Sequence, residues 1–112
     1  MKEIKAIIQP FMLEAVLSAL EALDLPGLTV SRVLGWGKAR AATVADPVEE
    51  AGHAFAKKVK LELFCADSVC DHLIGVIQKA AHTGNPGDGL IAVVDLTRVA
   101  RIRTNQEQDE AV

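Results

Sequence analysis

The chain has 112 residues, a formal net charge of -3 and a hydrophobic share of 50%. This length fits a single domain with a small core, and the negative charge provides no general attraction to nucleic acid phosphates. Because no apolar stretch approaches the roughly 20 residues of a membrane helix and no export signal is seen, we expect a cytoplasmic, soluble protein without membrane insertion.

Residues 3–37 predict a strand, a helix and a second strand. Ile4, Ala6 and Ile8 share one face over 3–9, as in a half-buried strand, and the other face carries polar residues and the apolar Ile7. Pro10 favours the first turn of a helix that residues 24–27 end, and its apolar residues recur at helical spacing: Leu13, Val16, Leu17, Leu20 and Leu23. Residues 28–34 are rich in strand formers and predict a second strand that ends at Gly35-Trp36-Gly37.

Residues 38–56 show no sustained hydrophobic period. They contain many alanines, Pro47, Gly52 and three acidic residues, Asp46, Glu49 and Glu50. Loops of this length inside compact domains are usually functional or disordered, so we interpret the segment as a functional loop.

The second half of the chain predicts a strand, a helix, a turn and two further strands. A third strand is expected over 59–65, with Asp67 or Ser68 capping a helix that the turn at 82–89 ends. A fourth strand is expected over 90–94 and a short edge strand over 99–103, followed by a flexible tail, 105–112. The order is that of an α+β, ferredoxin-like βαββαβ sandwich. With both helices on one sheet face, the apolar residues Ile7 and Phe64 remain on the other, which predicts self-association.

The glycine-rich turn Thr83-Gly84-Asn85-Pro86-Gly87-Asp88-Gly89 is a candidate anion site, because closely spaced glycines let backbone N–H groups point inward. An ordinary turn between a helix and a strand would use similar residues. Arg101 and Arg103, two apart on the expected edge strand, would present two guanidiniums on one side, which suits phosphate oxygens. A charged edge strand that resists aggregation is the alternative interpretation. Lys38, Lys58 and Lys60 offer further positive charges.

Other reactive residues form no recognised constellation. Cys65 and Cys70 have neither redox-motif nor metal-ligand spacing, so two reduced thiols are expected. His53, His72 and His82 lie on different elements, and solvated histidines are favoured over a zinc site. No nucleophile elbow or dinucleotide fingerprint is present, and we expect a protein that is not an enzyme.

Taken together, the motifs resemble the PII nitrogen-regulatory family from residue 1 to about residue 104. The matching segments are Ile4-Lys5-Ala6-Ile7-Ile8-Gln9-Pro10-Phe11, Leu28-Thr29-Val30, Gly35-Trp36-Gly37, Lys58-Val59-Lys60-Leu61-Glu62, Ala66-Asp67, Thr83-Gly84 with Gly87-Asp88-Gly89, and Val99-Ala100-Arg101-Ile102-Arg103-Thr104. The resemblance implies a homotrimer that binds ATP or ADP in clefts between subunits. It also implies one domain, 1–104, with a T-loop at about 37–55, a B-loop at about 82–90 and a C-terminal segment at about 95–104.

The resemblance assigns a role to each candidate residue. Gly87, Asp88 and Gly89 would wrap the phosphates, and Arg101 and Arg103 would pair with them. Thr29, Gly37, Glu62 and Phe64 would line the cleft around the adenosine. The remaining candidates for the binding site are Gly35, Lys38, Lys58 and Leu90.

Four departures from the family pattern change these expectations. Lys38 stands where arginine is usual, and Leu90 replaces a phosphate-binding lysine, so ATP is expected to lose its advantage over ADP or AMP. Ala39 replaces a glutamine that helps to hold Mg2+ and 2-oxoglutarate, although Lys58 remains as a carboxylate partner for 2-oxoglutarate or another small anion such as bicarbonate. Ala51 occupies the position of a modified tyrosine, so covalent control of the loop is not expected.

The leading hypothesis is a signalling protein whose loop regulates a partner protein, a transporter or a metabolic enzyme linked to nitrogen or inorganic carbon. The first alternative is a trimeric metal-tolerance protein of the same architecture that uses His53 with Asp46, Glu49 and Glu50. The second is an acylphosphatase-type enzyme, which would need an arginine-containing loop directly after the first strand, and none is found.

Overall fold

The computed structural model describes residues 1–23, 25–37 and 47–108. Its elements, in chain order, are strand β1 (Lys2–Ile8), a 3-10 turn (Pro10–Met12), helix α1 (Leu13–Glu21), strands β2 (Thr29–Gly35), β3 (Val48–Glu50) and β4 (His53–Cys65), helix α2 (Asp67–Ala81) and strand β5 (Gly89–Asp95). Within these ranges no helix has both the length and the apolar character to cross a membrane.

Four strands form an antiparallel sheet in the order β2-β4-β1-β5. In the register of this sheet, Lys2 lies opposite Cys65 and Asp95 at one end of β1, and Ile8 lies opposite Val59 and Gly89 at the other. Two helices and this strand order confirm the predicted α+β, ferredoxin-like architecture.

The core lies between the two helices and one face of the sheet. Alternate residues of β1 and β4 are buried there against residues of both helices: Ile4, Ala6, Ile8, Val59, Leu61, Leu63, Val16, Leu20, Leu73 and Ile77. Their period of two on the strands and three to four on the helices explains why these segments form these elements. Full burial of each large side chain stabilises the fold by about 1.5–3 kcal/mol.

The opposite face of the sheet carries no helix. Phe64 is 44% exposed and Leu90 is 62% exposed, and Ile7 lies between their strands. Ionic side chains share this face: Lys5 lies 3.8 Å from Glu3, and the Nζ of Lys60 lies 3.5 Å from Glu62. The predicted open apolar face is therefore present, and self-association through it remains a prediction.

Helix boundaries differ from the sequence-based expectation. A 3-10 turn precedes α1, which ends at Glu21, and Asp24 lies outside the described residues. The expectation that Asp67 or Ser68 caps α2 was wrong, because the N-cap is Ala66 and no side chain caps it. The Met1 ammonium instead donates a hydrogen bond to Oδ1 of Asp67 at 2.8 Å, and this bond lowers the pKa of Asp67.

The third strand begins earlier than predicted. β4 starts at His53 rather than at residue 59, and residues 53–55 pair with β3 in a hairpin. Ala51 and Gly52 form its turn with φ of 50° and 80°. The alanine-rich sequence here lacks alternation, so only the pairing with β3 reveals the extended backbone. Residues 38–46 of the predicted T-loop, with Lys38, Ala39 and Asp46, lie outside the described residues.

The predicted edge strand over 99–103 was wrong. Residues 102–104 form a turn, and a single bridge joins Ala100 to Glu107. The N–H of Arg101 donates to the carbonyl of Gln106 at 2.7 Å, and that of Gln108 donates to Val99 at 2.8 Å. The segment therefore bonds with residues that were assigned to the tail rather than with the sheet. Flexibility of the tail, 105–112, remains a prediction.

Candidate functional site

Residues 83–89, called here the 83–89 loop, connect α2 to β5 and are shaped by the side chain of Asp88. Its Oδ2 accepts hydrogen bonds from the N–H of Thr83 at 2.8 Å and from the N–H of Gly84 at 2.9 Å. Its Oδ1 accepts a hydrogen bond from the hydroxyl of Thr83, and the N–H of Asn85 donates to that hydroxyl oxygen at 3.1 Å. The loop is thus closed by its own side chains.

The charge of Asp88 is stabilised by these donors. Bonds from the Thr83 hydroxyl, and then from the amides of Thr83 and Gly84, lower the pKa of Asp88, and His82 contributes in the same direction. The Nδ1 of His82 lies 3.8 Å from Oδ2. The carboxylate is therefore ionised near neutral pH and faces donors of the loop itself.

Lys58 joins the loop to the sheet. Its Nζ donates a 2.7 Å hydrogen bond to the carbonyl of Gly87. Gly87 has φ of +97°, and a Cβ there would lie 2.9 Å from the Nε2 of Gln9. A side chain at position 87 would therefore strain the backbone and disturb the contact between the loop and β1.

The backbone of Gly89 lies directly against the backbone of Ile7 in β1. A Cβ at this position would lie 1.7 Å from the carbonyl oxygen of Ile7, and φ is +105°. The backbone of β5 can begin here, directly against β1, only because residue 89 lacks a side chain.

Leu90 follows as the first residue of β5 to carry a side chain. It pairs with Ile7 and is 62% exposed. A depression of about 220 Å³ lies beside it, between the start of β5 and the end of α2, and its lining includes Ile77, Asp88 and Gly89. Leu90 thus places an apolar side chain, without charge, next to the loop.

One group of candidate residues, called here the loop end, is brought together by these contacts. Gly35 pairs with Ala56 at this end of β2, and a Cβ on Gly35 would lie 3.4 Å from the Cγ of Lys58. Gly37 follows two residues later. The loop end contains Gly35, Gly37, Lys58, Gly87, Asp88, Gly89 and Leu90.

The second group, called here the terminus end, extends from the middle of the sheet, where Glu62 lies opposite Lys5, to its other end. Thr29 and Glu62 are direct cross-strand partners, and Phe64 lies two residues further on the same face. The chain leaves the sheet for the C-terminal turn at this end, where the N–H of Leu96 donates to the carbonyl of Met1. Arg101 and Arg103 lie in that turn, and both are exposed.

The structure does not bring the two groups together within one chain. Lys58 and Phe64 lie on the same face of β4, and at the rise of a strand their Cα atoms are about 20 Å apart. The placement of Arg101 and Arg103 on the same side of a strand is also wrong, since they lie in a turn.

The other reactive side chains, those of His53, Cys65 and Cys70, lie outside these two groups. The ring of His53 makes edge contacts with Trp36 at 5.8 Å and with Phe55 at 6.4 Å. No group of three or more metal-ligating side chains exists in the described ranges. Cys65 and Cys70 are buried free thiols, and burial, together with the adjacent Cys70, raises the pKa of Cys65 to about 11.

Two residues with direct contacts to the site were not among the predicted binding residues. Gln9 lies next to Gly87, and Thr83 binds Asp88. A threonine that precedes an aspartate by five residues in a glycine-rich turn is a signal for such a closed loop. Gln9 carries no comparable signal, because its proximity depends on the pairing of β1 with β5.

Comparison with known proteins gives matches over the whole chain. The family described as "Nitrogen regulatory protein P-II" matches residues 1–106. Nitrogen regulatory protein P-II of Klebsiella oxytoca is 41% identical over 112 residues, 100% of each chain. Nitrogen regulatory protein GlnK of Escherichia coli K12 is 43% identical over 111 residues, 99% of this chain and 98% of that one. The crystal structure of Arabidopsis thaliana PII bound to citrate matches with a TM-score of 0.82 and 31% identity, over 99% of this chain and 91% of that chain.

Proposed function

Because this chain belongs to the nitrogen regulatory protein P-II family and is therefore a regulatory signalling protein rather than an enzyme, we propose that it binds adenine nucleotides in clefts between the subunits of a cytoplasmic homotrimer. The bound nucleotide would alter residues 37–55, which regulate a partner protein. A transporter or metabolic enzyme linked to nitrogen or inorganic carbon is the proposed partner.

The observation that carries this proposal is the separation of the candidate residues into two ends of one sheet. The loop end offers glycine-rich backbone and Lys58, and the terminus end offers Arg101 and Arg103 with Thr29 and Glu62. A site that uses both sets requires two chains, with the loop end of one facing the terminus end of its neighbour. The open sheet face provides an apolar surface for such an assembly.

The chemistry of the two ends, taken together, suits both the phosphates and the adenosine of a nucleotide. Backbone N–H groups and guanidiniums bind phosphate oxygens, and guanidiniums can do so with two parallel hydrogen bonds. Phe64, 44% exposed, offers an apolar surface for the adenine ring, and Glu62 offers a carboxylate that accepts hydrogen bonds from hydroxyl or amino groups.

Small anions are proposed as second effectors. The Nζ of Lys58 already binds the Gly87 carbonyl at 2.7 Å, and a carboxylate such as 2-oxoglutarate, or bicarbonate, would compete for this ammonium group. Mg2+ would contribute only through the phosphates, since Ala39 offers no side-chain ligand.

Calorimetric titration with ADP, AMP and ATP tests the nucleotide site. Arg103→Ala is expected to weaken binding at least about tenfold, because a charge-assisted hydrogen bond is lost. Arg32→Ala is the matched control, since Arg32 is an exposed arginine opposite Val59 on the other sheet face. Absence of binding by every adenine nucleotide would refute the proposal.

Mixing two variants with impaired binding tests whether each cleft is shared. Gly87→Asp disables the loop end, and Arg103→Ala disables the terminus end. In randomly mixed oligomers about a quarter of the clefts would receive both intact ends from different chains, so binding should partly return. A site formed within one chain would give no recovery.

A further inference from the structure

The backbone donors of the 83–89 loop are not all available to a ligand. The N–H groups of Thr83 and Gly84 donate to Asp88 Oδ2, and that of Asn85 donates to the Thr83 hydroxyl oxygen. Residue 86 is proline and has no N–H. The first half of the loop is therefore occupied in holding the loop together.

The second half contains the remaining donors. These are the N–H groups of Gly87 and Asp88, since Gly89 already pairs with Ile8 in the sheet. Positive φ at Gly87 and Gly89 gives this segment the alternating backbone direction of an anion-binding nest. The Lys58 contact fixes the direction of the Gly87 carbonyl, which points toward Nζ.

A carboxylate in this position repels a phosphate unless its charge is directed elsewhere. The two oxygens of Asp88 accept three hydrogen bonds from Thr83 and Gly84, on the first half of the loop. The side chain and the backbone N–H of Asp88 therefore serve different purposes.

We propose that Asp88 is a positioning residue, which closes the 83–89 loop through Thr83 and so presents the N–H groups of Gly87 and Asp88 to a ligand phosphate, without contacting the ligand through its carboxylate. This inference rests on the proposed nucleotide site. It assigns the carboxylate of Asp88 to loop closure, leaves the backbone N–H of Asp88 as a phosphate donor, and adds Thr83 as the residue through which the carboxylate acts.

Two measurements on each variant test the inference. Hydrogen exchange of the Thr83 and Gly84 amides, followed by NMR without ligand, reports closure of the loop. Two titrations with ADP, one in the presence of Mg2+ and one with a chelator, measure the affinity of the site. Asp88→Ala is expected to accelerate exchange at both amides, and to weaken ADP binding by about tenfold to the same extent with and without Mg2+.

Thr83 supplies the matched pair of variants. Thr83→Val removes the hydroxyl and should reproduce part of the effect of Asp88→Ala, because the backbone bonds to Asp88 Oδ2 remain. Thr83→Ser keeps the hydroxyl and should retain slow exchange and ADP affinity. Asp88→Asn retains an acceptor oxygen and the shape of the side chain, so an intermediate effect is expected. A melting temperature recorded for each variant identifies any that fails to fold. If Asp88→Ala or Thr83→Val does not fold, Thr83→Ser and Asp88→Asn still test the inference.

Three results would overturn the inference. Weaker ADP binding with unchanged amide exchange would indicate direct contact between Asp88 and the ligand, and a loss confined to Mg2+ would indicate a metal ligand. Faster exchange with unchanged ADP affinity would show that loop closure does not serve the site. If the wild-type protein binds no adenine nucleotide, the proposed function fails and the inference with it, whereas normal binding by Asp88→Ala refutes the inference alone.

Discussion

The loop end and the terminus end of the sheet differ in how they are held. At the loop end, Gly89 packs against the Ile7 backbone, and Lys58 binds the Gly87 carbonyl at 2.7 Å. At the terminus end, the C-terminal turn is shaped by bonds among its own residues, and Ile102, between two arginines, is 99% exposed.

This difference indicates which part of the proposed cleft is formed before ligand and neighbour arrive. Three strands and a closed loop meet at the loop end, so we expect its backbone donors to need little reorganisation. The arginines of the terminus end carry flexible side chains, and ordering them would cost entropy that contact with a neighbouring chain must offset. Substitutions at the loop end should therefore have larger effects than those in the turn.

Gly89→Ala is expected to have the largest effect. Its Cβ would lie 1.7 Å from the Ile7 carbonyl oxygen, where φ is +105°, so β5 must move away from β1. We expect destabilisation of about 3 kcal/mol or more, measured by thermal unfolding.

Gly75→Ala on α2 is the control for Gly89→Ala, because a Cβ at Gly75 meets nothing within 4 Å. This helical substitution should stabilise the protein by up to about 1 kcal/mol. A Gly89→Ala protein that melts within about 2 °C of the wild type would show that the loop end is not rigid.

Lys58→Met should have the next largest effect, since it removes the bond to Gly87 while keeping the length of the side chain. A loss of about 1.5 kcal/mol is expected in urea unfolding, because the lost hydrogen bond involves a charged donor. Lys79→Met, at an exposed lysine on α2, is the control. Equal effects of the two substitutions would mean that the bond to Gly87 adds no stability.

Leu90→Lys adds a positive charge at the loop end, which the terminus end already has in its two arginines. We expect ATP affinity to rise about tenfold relative to ADP, because one more charge-assisted hydrogen bond becomes available to a terminal phosphate. Leu90→Met is the uncharged control, and competition titration gives both affinities. A rise that is equal for ADP and ATP would contradict a role at the terminal phosphate.

Arg98→Ala should have the smallest effect. Arg98 pairs with Glu107 across the C-terminal turn, and their side chains are 73% and 43% exposed. Exposed ion pairs add little, so the free energy of unfolding should change by less than about 0.5 kcal/mol in urea. A loss above about 1 kcal/mol would show that the turn is as firmly held as the loop end.

The predicted strands over 3–9, 28–34 and 90–94 are confirmed, because alternation or dense apolar sequence marks them locally. Two predictions failed where no such pattern exists. Residues 53–58 carry little alternation yet extend β4, and residues 99–103 have apolar members yet form a turn with residues 105–108. In both segments, the partner for backbone hydrogen bonding decides the conformation.

The sequence indicated which residues are candidates for the site, but it did not indicate how they are arranged in space. The glycine-rich turn, Lys58 and the two arginines could be selected from their chemistry, since phosphate-binding groups are few and recognisable. The family resemblance assigned Asp88 to the phosphates, and only the hydrogen bonds from Thr83 and Gly84 reveal that its carboxylate oxygens face the loop.

By itself, the sequence determined the helices, most strands, the open sheet face and the types of side chain at the site, because hydrophobic period and turn chemistry are properties of neighbouring residues. Only the tertiary structure decided that Gly89 lies against Ile7, that Lys58 reaches Gly87, and that Arg103 starts from the opposite end of the sheet. These relations join residues far apart in the chain, and they depend on strand order and register, which no local pattern encodes.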